Sequence, residues 1–371
     1  MTFCTEKITN INSRNTPPEF EEIIAEKSQN FVDRAWIFTA MNNFMARWNH
    51  GYFSLIGYPG SGKSAILAQR VKENPSIHYY NCQIQGKNRA EQFLENLLTQ
   101  LINHYPLGIS SLPENATEDG SYFAFLLQKI ADILPRSEKI IIAIDALDAI
   151  DPNSQPTYTN LFYLPRYLPD RVYFLLTTRP ISQGKLKLLI EAPHQSINLE
   201  KYPEETRCEM QEYISKFCAD EKNSLINFQA KMGINSEAEL TNILLEKSAL
   251  NWMYLSEILK AIREDYYRER QDFEQIPPGL NSYYQQHREK MLSQTPSELE
   301  LQLLKTLGEA PDAQTLDAIT KQIDGDYYEI EEILENWEEF LRVEERELDK
   351  YYQLYHPSFQ QFFRDDRAQS P

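Results

Sequence analysis

Hydrophobic and polar positions follow two alternating patterns over the first two hundred residues. Apolar residues at helical spacing predict helices over 31–48, 64–72, 89–104 and 121–134. Short apolar runs predict strands over 52–56, 140–144 and 172–177, and further short strands are predicted over 77–82 and 196–199. Apolar strands without alternation, separated by helices, are typical of a parallel sheet that helices cover on both faces. The pattern therefore predicts an α/β core.

The pattern changes beyond residue 201, where strand signals give way to helical spacing from Glu204 to about Gln271. The break I-P-P-G over 276–279 separates this helical block from a last segment. In that segment, apolar residues predicted to share one helix face are Ile330, Ile333, Leu334, Trp337 and Leu341. Apolar residues over 341–343 and 351–355 predict a hairpin, and short helices followed by a hairpin indicate a winged-helix module.

These boundaries divide the chain into four parts. Residues 1–30 are polar and lack a sustained period, so they are interpreted as an N-terminal extension, with folding beginning near Phe31. The α/β domain is predicted over 31–200, a helical arm domain over 201–275, and a winged-helix domain with a short tail over 276–371. A chain of 371 residues is expected to hold about two or three domains.

Composition and charge narrow the class of protein. Hydrophobic residues make up 42% and charged residues 25% of the chain, which is ordinary globular usage and excludes wholesale disorder. The net charge of -18 argues against a protein that coats nucleic acid or an anionic membrane through charge alone. Residues 326–350 hold eleven Asp or Glu against three Lys or Arg, which is typical of a solvated helix face and an exposed turn. Nucleic acid is therefore not an expected partner.

The cysteines and the N-terminal sequence exclude further classes. The four cysteines form no C-x-x-C pair and no Cys/His run with zinc spacing, so neither a disulfide framework nor a structural zinc site is indicated. The N-terminal sequence has no apolar stretch typical of a signal peptide, and nowhere do 18 apolar residues run together. We expect a cytoplasmic protein without a membrane span.

The strongest motif is G-Y-P-G-S-G-K-S over 57–64, which matches G-x-x-x-x-G-K-[ST] between a predicted strand and a predicted helix. Its glycines allow the backbone to wrap with N–H groups toward a phosphate, and the helix N-terminus favours negative charge there. Lys63 is expected to reach the β- and γ-phosphates, and the Ser64 hydroxyl to ligate Mg²⁺. This motif predicts a nucleotide-binding site.

A second acidic site is predicted at the end of the strand over 140–144. Asp145 follows its apolar run and is expected to hold the magnesium ion through water. Asp148 lies three residues further on, where orienting the attacking water and capping a helix are both open roles. The 82 positions between Lys63 and Asp145 leave room for an intervening strand, as in the P-loop folds that have an extra strand between the two motifs.

A third strand, V-Y-F-L-L-T-T over 172–178, ends just before Arg179. The carboxyl ends of parallel strands line one crevice, so Thr177, Thr178 and Arg179 are expected to face the same crevice as Asp145. An arginine in that place can sense or stabilise a γ-phosphate. The alternative interpretation of Arg179 is a surface residue that precedes a proline.

The order of these motifs resembles that of the STAND-class P-loop ATPases with a NACHT-type module, found in bacterial, cyanobacterial and fungal proteins that often continue into WD-type repeats. F-V-D-R-A-W-I-F over 31–38 resembles the motif in which the backbone and an arginine frame the adenine. I-I-I-A-I-D-A-L-D-A and L-L-T-T-R-P resemble the acidic motif and the sensor strand. K-S-A-L-N-W-M-Y-L over 247–255, P-P-G-L-N-S-Y-Y over 277–284 and Y-H-P-S-F-Q-Q-F-F over 355–363 resemble motifs of the arm helix, the linker and the winged helix.

This resemblance covers about residues 31–363 and implies a molecular switch with ATP or ADP and Mg²⁺ as cofactors. In such switches ADP holds a closed monomer, and exchange for ATP opens it for self-association or contact with a partner protein. Arg179 would sense the γ-phosphate, and His356 would contact the β-phosphate of ADP in the closed form. The implied catalytic residues are Asp145, Asp148 and Arg179, with Ser64 and Asp145 at the metal. The implied nucleotide-binding residues are Val32, Arg34, Gly57, Tyr58, Pro59, Gly60, Ser61, Gly62, Lys63, Ser64, Ala65 and His356.

The sequence departs from the family pattern at three positions. Asp33 stands where the N-terminal motif usually has glycine. Ala149 follows Asp148 where many members have glutamate, which implies slow hydrolysis or nucleotide binding alone. Leu250 stands where glycine is usual, a change expected to affect helix packing alone.

Two other functions remain open from the sequence. An initiator- or loader-type ATPase that handles nucleic acid also joins a P-loop core to a winged helix, but it needs Lys and Arg on its recognition helix and wing. A non-hydrolysing interaction scaffold would keep the nucleotide as a structural cofactor, and Ala149 mildly favours that function.

Overall fold

A computed structural model describes residues 16–84, 86–156, 158–180, 188–292, 295–323, 325–337, 340–346, 349–354, 359–360 and 362–364. The chain divides into two units between Glu205 and Thr206, close to the boundary predicted at residue 200. The second unit contains both segments that the sequence separates at 276–279. Each unit has its own hydrophobic core.

Five parallel strands form the centre of the first unit. They are β1 (Gly51–Ile56), β2 (His78–Asn81), β3 (Ile140–Asp145), β4 (Val172–Thr178) and β5 (His194–Asn198), in the sheet order β2-β3-β4-β1-β5. Every residue of β3 and β4 is buried, because helices and loops cover both faces of the sheet. The predicted P-loop NTPase fold is confirmed. The strand expected between Lys63 and Asp145 in the sequence is β2, and in the sheet β4 lies between β1 and β3.

Five helices accompany this sheet: α1 (Pro18–Lys27), α2 (Ala35–Arg47), α3 (Lys63–Glu73), α4 (Ala90–His104) and α5 (Ser121–Ile133). The expectation that folding begins near Phe31 is wrong, because α1 precedes it. Phe20 and Ile24 lie one helical turn apart and are buried in the core of the first unit. The ring of Phe20 packs edge-on against the rings of Tyr79 and Tyr80.

The second unit begins within α6 (Pro203–Asp220) and continues as a series of helices. These are α7 (Lys222–Met232), α8 (Glu237–Ser248), α9 (Trp252–Arg263), α10 (Arg270–Glu274) and α11 (Leu280–Met291). Their buried residues form one core together with those of the last segment, from Met210 to Phe359. In that core the ring of Tyr284 packs 4.8 Å from the ring of Phe359. Tyr284 ends the linker motif P-P-G-L-N-S-Y-Y, and Phe359 belongs to the winged-helix motif Y-H-P-S-F-Q-Q-F-F, so these two motifs are in contact.

The described part of the last segment combines α11 and three further helices with a small antiparallel sheet. The elements are β6 (Gln314–Thr315), α12 (Glu298–Glu309), α13 (Leu316–Gln322), α14 (Tyr327–Asn336), β7 (Leu341–Arg346) and β8 (Asp349–Leu354), with the strand order β6-β8-β7. Leu341 was predicted on the helix face and instead opens β7, paired with Leu354, because α14 ends at Asn336. The hairpin is confirmed, while the winged-helix assignment stays a prediction. No helix among the described residues is both long enough and apolar enough to cross a bilayer.

Candidate functional site

The turn between β1 and α3 contains the glycine-rich motif over 57–64. Gly60 and Gly62 have φ angles of 79° and 88°, a left-handed conformation that glycine adopts without a steric penalty. A Cβ on Gly57 would lie 2.4 Å from the Ser61 Oγ, so a side chain at this position would require the Ser61 side chain to move. These glycines allow the loop to wrap tightly ahead of α3, which begins at Lys63.

The Lys63 side chain folds back onto this loop. Its Nζ donates to the carbonyl oxygens of Gly57 at 2.7 Å and Tyr58 at 3.0 Å. Burial lowers the pKa of Lys63 to about 8, although the negative charges of Asp148 and Asp145 oppose the shift. The ammonium group is therefore held inside the loop by carbonyl oxygens.

Ser64 and Asp145 come together as the sequence predicts for a metal site. The Ser64 Oγ donates to Asp145 Oδ1 at 3.1 Å, and the Thr177 hydroxyl donates to the same oxygen. Asp145 is fully buried, and this desolvation raises its pKa, while the hydrogen bonds from Thr177, Ser64 and Tyr79 oppose the rise. The Thr177 Oγ1 in turn accepts from the Ala146 N–H at 2.8 Å, which ties β4 to the residue after β3.

Two residues of β2 also contact Asp145, and the sequence analysis did not identify them. The Tyr79 hydroxyl and the Asn81 amide nitrogen each lie 3.2 Å from Asp145 Oδ2. Asp145 and Arg179 were predicted because the carboxyl ends of parallel strands line one crevice, and β2 ends in the same way at Asn81. The position of Asn81 could therefore have been predicted, although it belongs to no sequence motif.

Asp148 and Arg179 form an ion pair. The Arg179 Nε lies 3.0 Å from Asp148 Oδ2, and the Arg179 backbone N–H donates to Asp148 Oδ1 at 3.0 Å. Asp148 lies in the 3-10 turn Leu147–Ala149, and both of these contacts join it to the residue that follows β4. Both groups are mostly buried, with side-chain exposures of 15% for Asp148 and 22% for Arg179.

Two long-range contacts hold the glycine-rich loop from outside. The Arg34 Nη1 donates to the Ser61 carbonyl at 3.2 Å, and Arg34 itself is only 3% exposed. The backbone N–H of Tyr58 donates to Glu200 Oε1 at 3.1 Å, from the 3-10 turn that follows β5. The contact of Glu200 with the loop could not be predicted from the sequence, because a single glutamate after a short strand belongs to no recognisable motif.

The remaining predicted residues have differing surroundings. Val32 is buried, the Tyr58 side chain is exposed, and the motif residues that are half-buried are Pro59, Gly60, Ser61, Gly62, Ser64 and Ala65. His356 lies outside the described residues. The structure therefore brings the loop, Ser64, Asp145, Asp148 and Arg179 to one edge of the sheet, and leaves the proposed contact from His356 as a prediction.

Comparisons with known proteins give one family match and distant structural similarities. A model of the family described as Nephrocystin 3, N-terminal, matches residues 34–179, the segment that carries the glycine-rich loop, Asp145 and Asp148. No curated protein matches the chain. A solved structure described as Drosophila ORC bound to DNA is 13% identical, with a TM-score of 0.43 over 94% of this chain and 99% of that chain. A variant of Thermotoga maritima RuvB is 13% identical, with a TM-score of 0.33 over 94% of this chain and 100% of that chain.

Proposed function

We propose that this chain is a regulatory switch that binds ATP and ADP with Mg²⁺, hydrolyses ATP slowly, and changes its inter-domain arrangement and self-association when the nucleotide is exchanged. The observation that carries the proposal is the convergence of the P-loop, the Ser64–Asp145 pair and the Asp148–Arg179 pair on one sheet edge. The NACHT-type resemblance supports the switch, since related proteins use these motifs in that way.

The residues fit a magnesium nucleotide. Mg²⁺ prefers oxygen ligands and retains several waters, and the Ser64 hydroxyl and the Asp145 carboxylate supply neighbouring oxygens at the N-terminus of α3. When bound, the metal neutralises phosphate charge. The left-handed conformation of Gly60 and Gly62 lets the loop wrap closely, as a loop whose backbone N–H groups bind phosphate oxygens requires. Lys63 lies next to that loop, with its ammonium on carbonyl oxygens that a phosphate oxygen would replace.

The Asp148–Arg179 pair gives the switch a way to distinguish ATP from ADP. A γ-phosphate would compete with Asp148 for the Arg179 guanidinium, whereas ADP has no group to do so. A ligand shifts a conformational equilibrium only by its difference in affinity for the two states, and this competition supplies such a difference. Release of Asp148 would also free its carboxylate to orient water, which links sensing to hydrolysis. Ala149, in place of glutamate, supports a slow rate.

Identification of the bound nucleotide tests the proposal first. The freshly purified protein would be denatured, and the released nucleotide identified by chromatography. We expect ADP at near-stoichiometric amount and slow release of phosphate when ATP and Mg²⁺ are supplied. Retained ATP would instead support the non-hydrolysing scaffold, and an empty protein that fails to take up ATP would contradict nucleotide binding altogether.

Hydrodynamic size tests the switch itself. We expect a larger or more extended species with saturating ATP and Mg²⁺ than with ADP and Mg²⁺. Lys63→Ala should bind neither nucleotide, while Arg179→Ala should bind ADP as the wild type does and lose the response to ATP. Identical sizes in saturating ADP and ATP for the wild type would contradict the switch without affecting nucleotide binding.

A further inference from the structure

Two β2 side chains complete the hydrogen bonding of the buried Asp145 carboxylate. Oδ1 accepts from Ser64 and Thr177, and Oδ2 accepts from the Tyr79 hydroxyl and the Asn81 amide. Asp145 and Tyr79 are 0% exposed and Asn81 is 3% exposed, so bulk water cannot replace these donors. A buried carboxylate left without such donors carries a large desolvation penalty.

The geometry of β2 fixes the position of both donors. Tyr79 and Asn81 are two residues apart on one strand, so their side chains lie on the same face of the sheet. Asn81 is the direct partner of Asp145 in the β2–β3 register. The Gln83 N–H donates to Asn81 Oδ1 at 2.8 Å, which turns the amide nitrogen toward Asp145. That nitrogen also lies 3.1 Å from the Tyr79 hydroxyl oxygen, so the two side chains support each other.

We propose that Tyr79 and Asn81 are positioning residues for the magnesium site: by holding Oδ2, they fix the plane of the Asp145 carboxylate so that Oδ1 stays beside the Ser64 hydroxyl. The role rests on the proposed function, because it has meaning only if Mg²⁺ and nucleotide bind there. Groups that orient a metal-binding carboxylate change metal affinity without touching the metal. Substitution of Tyr79 or Asn81 should therefore lower the nucleotide affinity that depends on Mg²⁺. The affinity measured without Mg²⁺ should not change.

The test compares ATP affinity in Mg²⁺ with ATP affinity in EDTA for each variant. Asn81→Ala and Tyr79→Phe each remove one donor to Oδ2. We expect both to weaken binding of ATP in Mg²⁺ on the order of 10- to 100-fold, as seen when partners of metal ligands are removed. Affinity in EDTA should stay as in the wild type, because the P-loop backbone is unchanged. Binding of Mn²⁺ with ATP, followed by electron paramagnetic resonance, gives a second readout of metal affinity.

Tyr80→Phe is the matched control. Tyr80 is the next residue of β2 and is also buried, but its hydroxyl donates to the Lys87 carbonyl at 2.7 Å instead of Asp145. For Tyr80→Phe, the ratio of ATP affinity in Mg²⁺ to ATP affinity in EDTA should equal that of the wild type. Thermal denaturation would verify that all variants fold. A loss of affinity by the same factor in Mg²⁺ and EDTA, or no loss in either, would overturn the positioning role alone. Absence of magnesium-dependent ATP binding in the wild type would overturn the proposed function as well.

Discussion

Lys63 shows how strongly local surroundings determine the chemistry of one side chain. Only 9% of the residue is exposed, and its burial brings its pKa to about 8 before any phosphate is present. A phosphate beside the ammonium would favour the charged form and raise the pKa again. We therefore expect the proposed nucleotide binding to be accompanied by proton uptake above pH 8.

This linkage predicts that nucleotide affinity decreases as the pH rises above about 8. The free protein loses its Lys63 proton in that range while the complex keeps it, so the affinity should fall by up to about tenfold per pH unit. Calorimetric titrations with ADP at several pH values would measure the slope. Lys63→Arg is the control, because arginine stays charged throughout and should give weaker binding with little slope. Equal slopes in the two proteins would contradict this origin of the pH dependence.

The sequence predicted that Ser64 and Asp145 lie together beside the glycine-rich loop, and the two side chains are in contact in the structure. Their roles toward phosphate and Mg²⁺ stay predictions. Tyr79 and Asn81 were missed because tyrosine and asparagine in a strand have many possible roles. Leu250 was expected to affect helix packing alone, but its φ of 59° is left-handed, so glycine would suit this position for its backbone conformation.

At the scale of elements, α1 is the helix whose existence sequence periodicity did not predict. Ten residues with two buried apolar side chains give a weak helical pattern. The contacts of Phe20 with Tyr79 and Tyr80 come from β2, sixty positions away, and no local pattern contains that information. β3 and β4 were predicted to within one residue, because their burial on both faces requires unbroken apolar runs.

Phe20→Ala should therefore destabilise the first unit. Removal of a fully buried phenylalanine leaves a cavity against the two tyrosine rings, and such changes typically cost about 3 to 5 kcal/mol of unfolding free energy. Urea denaturation followed by circular dichroism would measure the loss. Glu22→Ala, on the exposed face of the same helix, should change stability little. Similar stability for Phe20→Ala and wild type would show that α1 does not contribute to the core.

At the scale of the whole molecule, charge bears on the alternative of a nucleic-acid-handling ATPase. The net charge is -18, and the arginines of β7, Arg342 and Arg346, both form ion pairs with Glu344. Cations already paired within a hairpin are less available to phosphates. The solved structure of Drosophila ORC contains DNA, but similarity at 13% identity does not extend DNA binding to this chain.

We expect the wild type to form no complex with duplex DNA at physiological salt, with or without ATP. Fluorescence anisotropy with a labelled duplex, repeated at several salt concentrations, would measure this. Glu344→Gln removes the carboxylate that pairs with both arginines and should introduce weak binding to DNA that disappears as salt rises. A tight wild-type complex with a steep salt dependence would contradict the expectation and favour the initiator- or loader-type function.

The strand order also has a consequence for how the protein is made. β1 lies between β4 and β5, with Gly51 opposite Tyr173 and Tyr52 opposite His194. Both neighbours of the P-loop strand are therefore translated long after it, and pairings so distant in sequence form slowly. Until β5 has left the ribosome, β1 lacks one of its two neighbours in the sheet. We therefore expect the proposed nucleotide site to form only after β4 and β5 have been translated.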